Sequence, residues 1–339
     1  MSESSTIVPP AKALAPGGNS SALDQWRGFA LLLVLISHSF IRTHRVDGVG
    51  RVGVNLFFFI SGILVFRSLT GHRAEHGHRA LNFWKRRFIR LFPALLCYLA
   101  AVIPLIALLQ PHGLEGYLRK LPIALAFLAD YFEVPVATGH LWSVAVEMQF
   151  YLLAPLLFAL GGVSRRRRTL VWGGALLLFV ALGCVPPLLS YARKYEFQFT
   201  VWPMLLGFFC EAQRERISQI PRRWMDWTIR GGTVVIVLLL VLILLGLRIK
   251  AAVIGFGTLV FIPCFFSYLT AVSLAGRPGA ILRWLGERTY SIYLWQQPLT
   301  LCQFLPIPLW PLGALLAIPV GAVSYFFSER PFLSRKRKH

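Results

Sequence analysis

Apolar runs of about twenty residues, the length that a helix needs to cross a bilayer, recur along the whole chain. Short segments that hold most of the charged residues separate these runs. The pattern predicts an all-α membrane protein with about ten transmembrane helices in one bundle. The predicted spans are residues 24–42, 51–69, 91–110, 141–160, 170–187, 198–212, 231–247, 251–274, 288–303 and 309–327.

Residues 121–134 form a shorter apolar stretch that is interrupted by Pro122 and Asp130. The stretch is too short for a regular span. We therefore interpret it as an interfacial or re-entrant segment.

Composition and charge support the membrane assignment. Of the 339 residues, 56% are hydrophobic and 14% are charged, whereas a soluble domain has about 25% charged residues. Of the 35 lysines and arginines, 26 fall in the N-terminal tail and in the segments after the even-numbered spans, and 9 fall elsewhere. Because positive loops stay on the cytoplasmic side, both termini are predicted to be cytoplasmic. The expected layout is a disordered tail at 1–21, a transmembrane domain at 22–329 and a basic tail at 330–339.

The formal net charge of +21 therefore lies mainly on the predicted cytoplasmic face. This distribution favours anionic membrane lipids as partners. No groove-reading module or aromatic platform accompanies the charge, so no nucleic acid partner is predicted. The five cysteines stand in apolar runs and the histidines of 71–79 stand in a basic loop, so no metal site is predicted either.

Two ionisable residues stand deep inside predicted spans, and such residues are functional candidates because burying them in lipid is costly. They are His38 in the first span and Glu147 in the fourth. Arg27 precedes His38 by eleven positions, which corresponds to about 20° beyond three full turns and to about 16 Å of rise. Both side chains therefore share one helical face, which predicts a polar track along this helix. The alternative is that His38 has only a structural role and bonds a neighbouring helix.

The fourth span carries a polar stripe. His140, Ser143, Glu147 and Tyr151 recur at helical spacing, and Gln149 falls off the stripe. We expect His38 to be the partner of Glu147, because a histidine beside a carboxylate is a general base that activates a hydroxyl. A purely structural ion pair is the alternative.

Arg87 and Arg90 stand one turn apart where the third span begins. This spacing presents two planar guanidinium groups toward one object, which suits phosphate or pyrophosphate oxygens. Binding of lipid phosphates explains the pair equally well.

The chain resembles the acyltransferase family 3 of integral membrane acyltransferases, which acylate bacterial surface glycans and some secondary metabolites. The resemblance covers nearly the whole chain from residue 22 onward and rests on six motifs in order. They are "ALDQWRGFALLLVLISH", "VGVNLFFFISGILV", "RRFIRLFP", "HLWSVAVEMQFYLLAP", "ERTYSIYLWQQPL" and "SERPF".

The resemblance implies an acyl-CoA-dependent O-acyltransferase that moves an acyl group, often acetyl, from cytoplasmic acyl-CoA to a hydroxyl. It makes 22–329 the acyltransferase domain and implies no permanently bound cofactor. Carried over by position, the catalytic candidates are His38, Glu147 and Arg27, and the donor-binding candidates are Arg87, Arg90 and Arg27. Whether His38 acts as a base or carries the acyl group itself stays open. The remaining candidates within the motifs are Asp24, Asn55, Ser61, His140, Trp142, Ser143, Gln149, Tyr151, Tyr293 and Gln296.

Two positions depart from the family pattern. Members commonly have a second glutamate where Met148 stands, and a histidine where Gln296 follows "YLW". The Gln296 departure leaves open how the acceptor binds.

The resemblance implies a location in the bacterial inner membrane. The acceptor is expected to be a lipopolysaccharide sugar, an exopolysaccharide, a peptidoglycan sugar or a secreted metabolite. A multi-span transporter or flippase that uses His38 and Glu147 as a proton or substrate relay is the alternative function. The chain shows no clear inverted repeat, and its polar residues concentrate in the first four spans, which favours the enzyme. The sequence does not predict an oligomeric state.

Overall fold

The computed structural model describes residues 20–39, 47–71, 79–162, 164–183, 195–221, 274–300 and 312–334, together with residues 223, 224, 226, 227, 230, 231 and 234. The predicted spans at 231–247 and 251–274, most of the N-terminal tail and the histidine loop at 72–78 lie outside these ranges. Within the described ranges the chain consists of helices joined by turns and contains no strand. The all-α prediction is therefore confirmed for these residues.

The helices, numbered in chain order, have the following bounds. They are α1 (Ser20–Ser39), α2 (Asp47–Thr70), α3 (Arg79–Leu109), α4 (Leu114–Leu125), α5 (Leu141–Gly161), α6 (Arg165–Gly183), α7 (Phe197–Thr200), α8 (Trp202–Ala212), α9 (Arg214–Ser218), α10 (Gly276–Glu287), α11 (Thr289–Thr300), α12 (Leu312–Ser328) and α13 (Arg330–Ser334).

Four stretches of helix in the described part are long and apolar enough to cross a membrane. They are Val49–Thr70, Ala80–Leu109, Leu141–Gly161 and Leu312–Phe332. Each overlaps a predicted span, so these four predictions agree with the structure.

Two predicted boundaries need correction. Helix α3 begins at Arg79 rather than near residue 91, because the basic segment before the apolar run is itself helical. Helix α4 passes through Pro122 and ends at Leu125, so Pro122 does not break the stretch. The reversal comes at Phe127, whose φ of 55° is left-handed. Residues 126–140 then return the chain through turns to the start of α5.

The helices that surround the site pack closely. Helix α1 packs along α2 and α10, α2 packs along α8, and α11 packs along α12. The crossing of α2 and α8 depends on glycine, because a Cβ at Gly62 would lie 2.0 Å from the carbonyl oxygen of Met204. A Cβ at Gly207 would lie equally close, 2.0 Å, to the carbonyl oxygen of Phe59. Small residues at helix crossings in membranes permit this kind of backbone approach.

Candidate active site

Arg27 places a positive charge in the interior of the helix bundle. The residue is buried, with 7% of its surface exposed. Its Nη1 lies 3.6 Å from Oδ1 of Asp24, and its guanidinium stands 5.4 Å from the centroid of the Phe57 ring on α2. It also interacts electrostatically with Arg90 and Glu147. Asp24, Phe57 and Glu147 compensate for the cost of removing this guanidinium from water, whereas Arg90 repels it.

Arg87 and Arg90 have different surroundings, although they stand one turn apart on α3. Arg87 donates a hydrogen bond of 3.3 Å to the carbonyl oxygen of Leu64 on α2. Its guanidinium also stands 5.0 Å from the centroid of the Tyr151 ring. Arg90 instead interacts electrostatically with Arg27, and its buried Nε has no hydrogen-bond partner among the described residues. Arg87 therefore joins α3 to α2 and α5, whereas Arg90 has a donor that is available for another group.

Glu147 is the buried carboxylate at the centre of the site, with 5% of its surface exposed. Its Oε1 accepts a hydrogen bond from the hydroxyl of Tyr151 at 2.5 Å and another from the hydroxyl of Ser61 on α2. The predicted pairing of Glu147 with His38 stays a prediction. Two turns of α5, about 10 Å, separate Glu147 from His140, and His38 interacts with His140.

Glu329 is a second buried carboxylate that the sequence analysis did not select. Only 2% of its surface is exposed. It accepts hydrogen bonds from the backbone N–H of Ser291, at 3.1 Å, and from the hydroxyl of the same residue on α11. It also interacts electrostatically with Arg90 and Arg27. The motif "SERPF" was the signal that could have identified it, because an acidic residue directly after a span is unusual in this basic chain.

A small cavity of about 30 Å³ lies between α1, α2, α5 and α11. Ala30, Leu31 and Val34 line it on α1, and these residues stand between Arg27 and His38. The polar residues in its wall are Ser143, Glu147, Thr289, Tyr290 and Tyr293. The cavity therefore lies along the stretch of α1 between Arg27 and His38, but the α1 residues that line it are apolar, so the polar track stays a prediction.

His38 lies in the last turn of α1. Its Nδ1 is 3.0 Å from the carbonyl oxygen of Val34, which lines the cavity. Because a carbonyl only accepts, Nδ1 is the donor in this bond, and the neutral ring then carries its lone pair on Nε2. A histidine in this tautomer has the chemistry of a general base.

His140 stands before the first turn of α5 and packs against α11. Its ring makes edge contacts with Tyr98 at 5.6 Å and with Tyr293 at 5.4 Å, measured between ring centroids. The hydroxyl of Tyr293 lies 2.7 Å from the hydroxyl of Ser143 and donates to the carbonyl oxygen of His140 at 3.1 Å. The polar stripe of α5 is thus joined to α11. Gln296 lies one turn beyond Tyr293 and is fully buried.

Three other predicted residues lie away from the cavity. Gln149 donates hydrogen bonds of 2.9 Å to the carbonyl oxygen of Phe127 and to Oδ1 of Asp130, so it stabilises the turn after α4. Burial raises the pKa of Asp130 to about 6. Trp142 packs against Arg51, whose guanidinium stands 5.3 Å from the ring centroid. Asn55 is buried on α2 but does not line the cavity.

Within the described ranges, no three His, Cys, Asp or Glu side chains are grouped in a way that could hold a metal ion. The site consists of arginines near one end of a cavity, a carboxylate in its wall and a histidine near the other end. This arrangement can attract an anionic group and remove a proton.

Comparison with known proteins gives relatives that match most of the chain. O-acetyltransferase OatA of Staphylococcus aureus is 25% identical over 91% of this chain and 56% of its own length. Peptidoglycan O-acetyltransferase OatA of Listeria monocytogenes is 28% identical over 82% of this chain and 49% of its own length. The chain thus spans about half the length of these curated relatives. No solved structure matches it at a significant level.

A family model described as an acyltransferase domain matches residues 20–328. The match begins with α1 and ends with α12, so it includes the helices that carry Arg27, His38, Arg90 and Glu147. The chain therefore belongs to this acyltransferase family.

Proposed function

We propose that the chain is a membrane-embedded O-acyltransferase that moves an acyl group, in the first instance acetyl, from acyl-CoA to a hydroxyl of a cell-envelope glycan. The observation that carries the proposal is the cavity along α1, with Arg27 before it and His38 after it. Two relatives are named O-acetyltransferases, and one of them is named for peptidoglycan. A peptidoglycan sugar is therefore the first acceptor to test.

The donor would approach from the arginines. Acyl-CoA carries phosphates, and Arg27 and Arg90 supply positive charge beside the cavity. The rise of about 16 Å between Arg27 and His38 is comparable to the length of an extended pantetheine arm. In the proposed mode the phosphates stay with the arginines while the thioester extends along the cavity toward His38.

The chemistry would be general-base catalysis at His38. The acceptor oxygen attacks the thioester carbonyl while Nε2 of His38 takes the hydroxyl proton. The carbon–sulfur bond then breaks, and the departing thiolate of CoA takes that proton, which returns His38 to its neutral form. Glu147 would hold Arg27 and the hydroxyls around it in place. This reaction uses acyl-CoA as co-substrate and needs no permanently bound cofactor.

The membrane arrangement is part of the proposal. We infer about ten spans with both termini in the cytoplasm of a bacterium, and residues 22–329 as the catalytic domain in the inner membrane. Acyl-CoA is cytoplasmic, so it would enter from the same side as the termini. The family match does not favour the transporter or flippase alternative.

The test is mass spectrometry of cell-wall glycans from cells that carry the wild-type chain, His38→Ala or His112→Ala. The wild type should add the mass of one acetyl group to a sugar, and His38→Ala should abolish the addition. His112→Ala is the matched control because His112 is exposed and lies outside the cavity. Equal acetylation in the His38→Ala cells would contradict the proposal. Detection of a peptide with acetylated His38, after incubation with labelled acetyl-CoA, would show that His38 carries the acyl group itself instead of acting only as a base.

A further inference from the structure

Three side chains, one at the start of α5 and two on α11, have buried polar atoms without a regular hydrogen bond among the described residues. One of them, His140, interacts electrostatically with His38. Among the described residues, neither ring nitrogen of His140, neither polar atom of the Gln296 amide nor the indole nitrogen of Trp295 makes a hydrogen bond. The backbone of Leu294 lies near the His140 ring as a weak hydrogen-bond partner, whose distance and angle fall short of those of a regular hydrogen bond. We call His140, Trp295 and Gln296 the unpaired cluster.

The members of the unpaired cluster lie near one another. The Tyr98 ring contacts the ring of His140 at 5.6 Å and the ring of Trp295 at 5.4 Å. Tyr293 contacts His140 and lines the cavity. Gln296 follows Tyr293 by three positions, so the two side chains share one face of α11. His140 and Gln296 therefore lie beside Tyr293, which lines the cavity, although they do not line it themselves.

Burial makes this arrangement costly. His140 is 2% exposed and Gln296 is 0% exposed. A buried polar group without a partner destabilises a fold, and nearly all such groups in proteins are paired. Destabilising polar groups of this kind are typical of sites that bind a ligand. The neighbouring residue provides the contrast, because the Gln297 amide donates a hydrogen bond of 2.6 Å to the carbonyl oxygen of Val136.

The chemistry of the cluster indicates a neutral ligand. A neutral imidazole and an amide each offer a donor and an acceptor, and an indole offers a donor. The charged side chains of the site, Arg27, Arg90, Glu147 and Glu329, interact with one another around Arg27 instead. A hydroxyl or an acetamido group matches the cluster, whereas a phosphate or an ammonium group would lack a counter-charge there.

We propose that His140, Trp295 and Gln296 form the acceptor subsite, which binds the hydroxyl and acetamido groups of a sugar beside His38. The inference rests on the proposed function and adds where the acceptor binds and by which contacts. The donor phosphates and the acceptor sugar would then occupy opposite ends of one cavity. Gln296 would be the residue that sets the hydrogen-bonding pattern for the sugar.

The test compares the same substitution at adjacent positions, Gln296→Met and Gln297→Met, in the purified full chain. The probe is a short oligomer of N-acetylglucosamine, and the readouts are thermal unfolding, probe affinity and CoA affinity. Gln296→Met removes an unpaired amide, so it should raise the unfolding midpoint by a few degrees while it weakens probe binding by about tenfold. Gln297→Met breaks a structural hydrogen bond, so it should lower the midpoint and leave probe affinity unchanged.

A second variant, His140→Phe, keeps a planar ring without nitrogens and should weaken probe binding in the same way. A lower unfolding midpoint for Gln296→Met would overturn the subsite, because it would mean that the amide has a structural partner. Unchanged probe affinity in Gln296→Met and His140→Phe, or no binding to the wild type, would overturn it too. CoA affinity separates the two proposals. If one of these contradicting results is obtained while CoA still binds the wild type, only the acceptor subsite is wrong. If CoA does not bind the wild type, the proposed function is wrong.

Discussion

The hydroxyl of Tyr151 donates a hydrogen bond of 2.5 Å to Oε1 of Glu147, one helical turn earlier on α5. The same oxygen accepts from Ser61 on α2, and the ring of Tyr151 lies beneath the guanidinium of Arg87 on α3. Tyr151 therefore joins the buried carboxylate to an arginine from a different helix. In a medium that excludes water, such a bond fixes the orientation of the carboxylate.

Tyr151→Phe removes this hydroxyl and keeps the ring. A hydrogen bond to a charged group is worth about 1.5–3 kcal/mol, so the rate of acetyl transfer should fall by about tenfold to a hundredfold. The measurement is the initial rate with saturating acetyl-CoA. The control is Tyr131→Phe, since the hydroxyl of Tyr131 bonds Gln198 at an exposed position. Equal rates for the two variants would show that Glu147 does not depend on Tyr151.

Much of this site could be predicted from helical spacing within single segments. The common face of Arg27 and His38 and the stripe through Ser143, Glu147 and Tyr151 each follow from the periodicity of a single helix. Ser143 and Glu147 line the cavity, and so do Ala30, Leu31 and Val34, which stand between Arg27 and His38. The partners of these residues could not be predicted in the same way. Ser61 meets Glu147 because α2 and α5 pack together, and no periodicity within one segment encodes such a contact.

Glu329 shows the same limit. It lies far along the chain from Arg27 and Arg90, yet it interacts with both. Packing of α11 against α12 brings it there through Ser291.

Arg90→Gln and Arg87→Gln should separate donor binding from stability. Arg90 has a buried Nε without a hydrogen-bond partner among the described residues, so its loss should raise the KM for acetyl-CoA by about tenfold or more and leave the unfolding midpoint nearly unchanged. Arg87 bonds Leu64 and stacks on Tyr151, so its loss should lower the midpoint. KM and thermal unfolding are measured on both variants.

Arg119→Gln is the control for charge, because Arg119 is exposed and pairs only with Glu115 within α4 among the described residues. The KM of this variant should equal that of the wild type. If all three arginine variants raise KM alike, general positive charge rather than Arg90 attracts the donor.

Asp130 should make stability depend on pH. Burial raises the pKa of its carboxyl from 3.8 to about 6 in the folded chain. The folded state therefore binds the proton more tightly than the unfolded state, so stability falls as pH rises from about 4 to about 6 and stays low above that range. Asp130→Asn removes the charge and keeps one acceptor oxygen, so it can retain the hydrogen bond from Gln149 or the one from the backbone N–H of Phe197, which now donate to different oxygens of Asp130.

The measurement is the unfolding midpoint of the wild type and Asp130→Asn at pH values across that range. The advantage of Asp130→Asn should be smallest below about pH 4, should grow as the pH rises to about 6 and should level off above that. Glu133→Gln, which removes an exposed carboxylate nearby, should give no such trend. An advantage for Asp130→Asn that shrinks with rising pH would contradict the assignment.

The crossing of α2 and α8 should tolerate no added methyl group at Gly207. A Cβ there would lie 2.0 Å from the backbone carbonyl oxygen of Phe59, which cannot rotate away as the end of a side chain would. Gly207→Ala should therefore force α8 off α2 and lower the free energy of unfolding by about 1–3 kcal/mol or more.

The control is Gly174→Ala, because no atom lies within 4 Å of a Cβ at Gly174 on α6. Thermal unfolding in one detergent checks both: the midpoint of Gly207→Ala should fall and that of Gly174→Ala should hold or rise. Equal midpoints would mean that the helices do not approach this closely. Since Ser61 lies beside Gly62 on α2, Gly207→Ala should also displace the hydroxyl that bonds Glu147 and reduce acetyl transfer.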